Sequence, residues 1–181
     1  NNATSASLVS GESSTVTATA DTSSTVIATT ETGSATADNE LGETAGVEIA
    51  TLIAGTSATT DGTAVFELST TASATTGAAT ADTDMDESAY GTDIRTLTTG
   101  TTANINGVAN ATLTSNAESI DGLADSDSHL YDPAGIVLET TTIGTSAQIS
   151  GEASITSQSN SSSTNSASDA DTYFDYASGV F

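Results

Sequence analysis

The residues best suited to chemistry are carboxylates that recur in short clusters: Asp82, Asp84, Asp86 and Glu87, then Asp125, Asp127 and Asp132, then Asp169, Asp171 and Asp175. Hard oxygen donors at alternate positions are the kind calcium takes, six to eight at a time. Asp82, Asp84, Asp86, Asp125, Asp127, Asp169 and Asp171 are therefore the candidate calcium ligands, and calcium is the one cofactor the sequence suggests. Asp82-Thr83-Asp84-Met85-Asp86 opens like an EF-hand loop, but it lacks glycine at the sixth position and the flanking helices, which excludes that motif. The competing reading is that these aspartates occupy solvent-facing turns and keep the molecule soluble.

Catalysis has little to build on. The single histidine, His129, lies in Asp125-Ser126-Asp127-Ser128-His129-Leu130-Tyr131-Asp132. A Ser-His-Asp triad can be written from it only because Ser and Asp are everywhere, and the equivalent segments elsewhere have no histidine. A solvated turn residue is the better expectation. Many carboxylate pairs exist and none is singled out for glycoside hydrolysis, so an enzyme is not expected. Asn-X-Ser/Thr acceptors for glycosylation occur at Asn2, Asn110 and Asn160, although such triplets arise by chance in so Ser/Thr-rich a chain.

Whatever positions these groups is repetitive. Gly55-Thr56-Ser57-Ala58-Thr59-Thr60-Asp61-Gly62, Gly100 to Gly107 and Gly144 to Gly151 are one segment three times over, with starts 45 and 44 residues apart. Thr4-Ser5-Ala6-Ser7-Leu8-Val9-Ser10-Gly11 reads as a fourth copy 51 residues upstream, as though the first repeat carried an insertion. Gly33, Gly77 and Gly122 mark a second beat, replaced by Ser166 in the last copy. An acidic corner follows in each copy, and then an apolar run in which Val47, Ile94, Ile136 and Val180 are the expected equivalents. Tyr90, Tyr131 and Tyr173 precede that run. The repeats are thus placed at 1–54 (with the insertion), 55–99, 100–143 and 144–181, the last incomplete. Such phasing predicts an array rather than a domain with one pocket, and a stretch of a processed or longer polypeptide.

Ser, Thr and Ala supply 93 of 181 residues, whereas Leu, Ile, Val and Phe supply 30. That is little apolar surface for so charged a chain, so disorder is the alternative that periodicity must overcome. Thr, Val and Ile alternate in Ser14-Thr15-Val16-Thr17-Ala18-Thr19-Ala20, no 3.6-residue stripe is sustained, and Asn106-Gly107, Asp61-Gly62 and Asp121-Gly122 punctuate the strands. The prediction is all-β: a β-solenoid of about 45-residue repeats, with tandem small β-sandwich domains as the alternative. Gly62, Gly107 and Gly151 are expected at corners, with positive φ or close backbone approach.

One Arg against 24 Asp and Glu gives a net charge of −23, which argues against nucleic acid or an anionic membrane surface as partner. No apolar run approaches the length of a membrane span. Cysteine is absent, so thiol chemistry has no basis. The Gly-Thr-Ser-Ala-x-x-x-Gly segments, the Ala-Asp-x-Asp stretches and the Gly-Ile/Val closing runs resemble the repeats of very large secreted bacterial surface proteins and adhesins, including Ser/Thr/Ala-rich, lysine-poor ones of marine bacteria. They depart from the calcium-binding nonapeptide family, for no Gly-Gly-x-Gly-x-Asp tandem is present. The resemblance implies an extracellular β-rich filament, stalk or matrix fibre of a microbial cell surface that associates with itself. An adhesin whose Ser/Thr/Asp-rich faces hold surface glycans is the alternative.

Overall fold

The computed structural model describes residues 7–85 and 89–181. Every element among them is a strand, and the strands stack into three parallel sheets. The long sheet contains β2 (Ser13–Thr32), β5 (Ser57–Thr76), β8 (Thr102–Ser119) and β11 (Ser146–Ser163). The acidic sheet contains β3 (Ala35–Leu41), β6 (Ala79–Met85), β9 (Ala124–Leu130) and β12 (Ser168–Phe174). The aliphatic sheet contains β1 (Ser7–Ser10), β4 (Thr44–Ala54), β7 (Ala89–Thr99), β10 (Ala134–Ile143) and β13 (Ser178–Val180). Each rung runs from the long to the acidic to the aliphatic sheet and then steps onto the next. This is the solenoid. Tandem sandwiches are ruled out because every strand pairs in parallel with its counterpart one repeat away.

The cross-section is a flattened two-layer slab. A 20-residue strand such as β5 is roughly 66 Å long at about 3.3 Å per residue. An acidic strand and an aliphatic strand lie end to end against it. Ala72, Ala74 and Ala117 from the far part of the long strands pack on Ala35, Ala37, Ala79, Ala81 and Ala124 of the acidic sheet. In the centre, Phe66, Leu113, Met85 and Leu130 fill a wider space. Ala58, Ala103 and Ile105 meet Val47, Ile49, Leu52, Ile94, Leu97 and Ile136 of the aliphatic sheet. With so few large side chains, hydroxyls complete the interior. Thr70 Oγ1 donates to the Asp82 carbonyl (3.0 Å), Thr83 Oγ1 to Thr70 Oγ1 (2.6 Å) and Ser115 Oγ to the Ala81 carbonyl (2.8 Å), all across the layers.

The register corrects several sequence expectations. Ser10 pairs with Ala54 and Ser13 with Ser57, a step of 44 residues, so Gly11 stacks beside Gly55 rather than Gly62 and the first repeat has no insertion. The one 45-residue step arises between Met85, partner of Leu41, and Ala89, partner of Thr44. Val47, Thr92, Ile136 and Val180 share a column, whereas Ile94 stands two residues on, beside Ile49 and Leu138. Val180, in the last rung, is half exposed. The three tyrosines are not equivalent: Tyr90 is in β7, Tyr131 follows β9, and Tyr173 is within β12.

Gly62, Gly107 and Gly151 lie inside strands, not at corners, and positive φ belongs instead to Gly33 (94°) and Gly77 (108°) after the long strands. The first three serve close approach. A Cβ on Gly62 would strike the Gly91 carbonyl oxygen, one on Gly107 the Gly135 carbonyl oxygen, and one on Gly151 the Gly179 carbonyl oxygen. A seam of facing glycines thus lets the long and aliphatic sheets touch backbone to backbone.

Candidate functional site

The acidic stretches are strands rather than turns. Asp is depleted in strands because it competes for backbone hydrogen bonds, which is why the sequence suggested corners. In Ala79-Thr80-Ala81-Asp82-Thr83-Asp84-Met85 the alternation matches the pleat: Ala79, Ala81, Thr83 and Met85 are buried, while Thr80, Asp82 and Asp84 face outward. Parallel pairing then aligns equivalent positions. Asp38, Asp82, Asp127 and Asp171 form one outward column, with Thr36, Thr80, Asp125 and Asp169 on one side and Glu40, Asp84, His129 and Tyr173 on the other.

Successive members of a column are about 4.8 Å apart at the backbone, a distance at which like charges repel by about 1 kcal/mol even in water. The electrostatics reflect it. Partial burial and then the Asp38 charge raise the Asp82 carboxyl above the usual range. Burial and then the charges of Asp125, Asp82 and Asp171 do the same to Asp127.

Beside the ladder, His129 is clasped by two rings, Tyr131 at a centroid distance of 4.1 Å and Tyr173 edge-on at 4.6 Å. Its Nε2 is buried without a hydrogen-bond partner. The expected solvated turn residue is instead a strand residue packed between aromatics. Asp82, Asp84, Asp127, His129, Asp171 and Tyr173 line a shallow groove of about 250 Å³.

Of the candidate calcium ligands, Asp82, Asp127 and Asp171 come together in the central column. Asp84 lies in the next column beside His129, Asp125 and Asp169 lie in the flanking one, and Asp86 falls outside the described residues. A strand face spreads carboxylates in a row. Among the described residues, no group of three or more Asp, Glu, His or Cys converges closely enough to hold a metal ion. Of the glycosylation candidates, Asn110 and Asn160 are on the outer face of the long sheet, where Asn160 Nδ2 donates to Asn116 Oδ1 at 2.9 Å. Asn2 is outside the described residues.

Three features escaped the sequence reading. Asp93 in β7 is 5 % exposed, with its Oδ1 unpartnered, and burial raises its carboxyl to about 6, with Glu48, Glu139 and Glu43 adding to the shift against Arg95. The Tyr173 half of the aromatic clasp depends on rung register. Gly91 sits in a segment that reads as Thr-rich strand, and its signal was the recurring 16-residue spacing of Gly46 to Gly62, Gly91 to Gly107 and Gly135 to Gly151. No helix is long and apolar enough to cross a membrane among the described residues. Comparison of the chain with protein-family models, curated proteins and solved structures yields no match.

Proposed function

We propose that this chain is a stretch of an extracellular structural filament, stalk or matrix fibre at a microbial cell surface, with length, stiffness and a hydrated anionic surface as its function. The observation that supports this most is the in-register translation of all three sheets, by which each rung presents the same backbone edge to the next. Stacking adds height without limit in such a design, and each rung needs only its neighbours. Absence of lysine and cysteine, with dense Ser and Thr, suits a surface exposed to proteases and oxidants. Four rungs give an axial height of only about 19 Å at about 4.8 Å per strand. A filament therefore requires further rungs, from the same polypeptide or from copies stacked end to end. Cryo-electron microscopy of the native material tests this reading: a fibre with an axial rise near 4.8 Å for each repeat is expected, and isolated slabs at all concentrations would overturn it.

One observation favours an adhesin as the second reading. The outer face of the long sheet is dominated by hydroxyl and amide side chains in columns, such as Ser13, Ser57, Thr102 and Ser146, or Thr25, Ser69, Thr114 and Gln158. Such a face offers regularly spaced donors and acceptors to a glycan. Retention of the monomeric chain on immobilised polysaccharide supports this alternative; passage through unretarded removes it.

A further inference from the structure

The corner between the acidic and aliphatic sheets carries an apolar pocket of about 290 Å³, distinct from the acidic groove. Tyr90, Pro133, Val137, Tyr176 and Phe181 supply its wall, and Asp132 supplies a carboxylate. These residues come from three successive rungs, so the pocket exists only because the rungs stack. Tyr176 and Phe181, both of the last rung, bring two of the chain's few aromatic rings to this pocket. Asp132 holds φ at 30°, the one positive φ among described non-glycine residues, a conformation that costs energy and is retained where surroundings impose it.

A second carboxylate stands nearby. Asp93 is the register partner of Val137 and lies three residues from Tyr90, almost wholly buried, with Oδ1 lacking any hydrogen-bond donor. A buried carboxylate without a donor is costly, and its charge, one strand behind the wall residue Val137, adds to the negative potential near the pocket. Aromatic rings attract cations through their negative faces, most strongly when the cation is poorly hydrated. A net charge of −23 raises the local concentration of any cation.

We infer that this pocket binds a small organic cation of the alkylammonium class, with Tyr90, Tyr176 and Phe181 contacting its methyl or methylene groups and Asp132 opposing its charge. A sugar would require several hydrogen-bond donors and acceptors converging on it, whereas this wall is mainly aromatic and aliphatic. The inference does not rest on the filament reading, and its test is made on the single chain.

The test is titration of the chain with choline at pH 7.5, followed by calorimetry and by the aromatic proton resonances. Matched sodium chloride and the neutral isostere 3,3-dimethyl-1-butanol serve as controls. Saturable binding of choline is expected, at least tenfold tighter than that of the isostere, with shifts at the Tyr and Phe rings. Tyr176→Ala, Phe181→Ala and Asp132→Asn should each weaken it by about tenfold. The first two side chains are exposed and Asn tolerates positive φ, so the fold persists in all three. Equal binding of the isostere, choline effects reproduced by sodium, or unchanged affinity in the three variants would each overturn the proposal.

Discussion

At the scale of single residues, the informative groups are those that a strand system should avoid. Burial lifts the Asp93 carboxyl from 3.8 to about 6. The folded chain then takes up this proton before the unfolded chain does, so stability rises as pH falls from about 7 towards about 4 and levels off below that, where both states are protonated. Asp82 and Asp127 shift in the same direction and add to the trend. Asp93→Asn is expected to raise Tm at pH 7, by up to about 3 kcal/mol of stability, with the advantage over the parent gone near pH 4; melting curves across that range check it. The glycine seam gives a second residue-scale expectation. Gly107→Ala places a methyl on the Gly135 carbonyl oxygen and against Ile136 Cγ1. Backbone cannot yield as a side-chain tip does, so the loss should be at least the roughly 1–3 kcal/mol of ordinary overpacking. Gly11→Ala, with nothing within 4 Å of the added carbon, is the control and should melt unchanged.

Elements were legible in the sequence where alternation alone decides and illegible where register decides. The β class followed from Thr, Val and Ile at alternate positions, and Gly55, Gly100 and Gly144 marked one corner because a close backbone crossing recurs there. Asp-rich segments misled, since single-residue preference places Asp in turns while the pleat of β6 and β9 carries it on an outer face. Ile94 was aligned by residue type, yet the column is set by hydrogen-bond register, which puts Thr92 there instead. The Tyr173 side of the His129 clasp and the buried state of Asp93 depend on neighbours 44 or 45 residues away, beyond local reading. The acidic sheet as an element yields its own expectation. Carboxylates in rows do not surround a point, and calcium needs six or more oxygens at about 2.3–2.6 Å. Melts in chelator and in millimolar calcium at equal ionic strength should therefore coincide, whereas added sodium chloride should raise Tm by screening the ladders. A large rise with calcium alone would show that carboxylates rearrange into a site.

At the scale of the whole molecule, stability is a property of rung contacts rather than of one core. Each long strand touches only the strands above and below and the layer opposite, so whole rungs are interchangeable units. Removing 100–143 joins Thr99 to Gly144, which now accepts the place of Gly100 at the same corner, and sets β11 on β5, β12 on β6 and β13 on β7. Facing glycines then remain matched, Gly151 falling beside Gly62 and Gly179 beside Gly91, as the parent register requires. A cooperative melt at somewhat lower Tm and an unchanged β-sheet circular dichroism spectrum per residue are expected. Removing only 100–109 shifts every later residue out of its column, so glycines oppose side chains and carboxylates meet the interior. That variant should lose the cooperative transition. A chain that tolerates the ten-residue deletion as well as the 44-residue one would show that register does not hold the slab together, and the stacking account of this fold would fail with it.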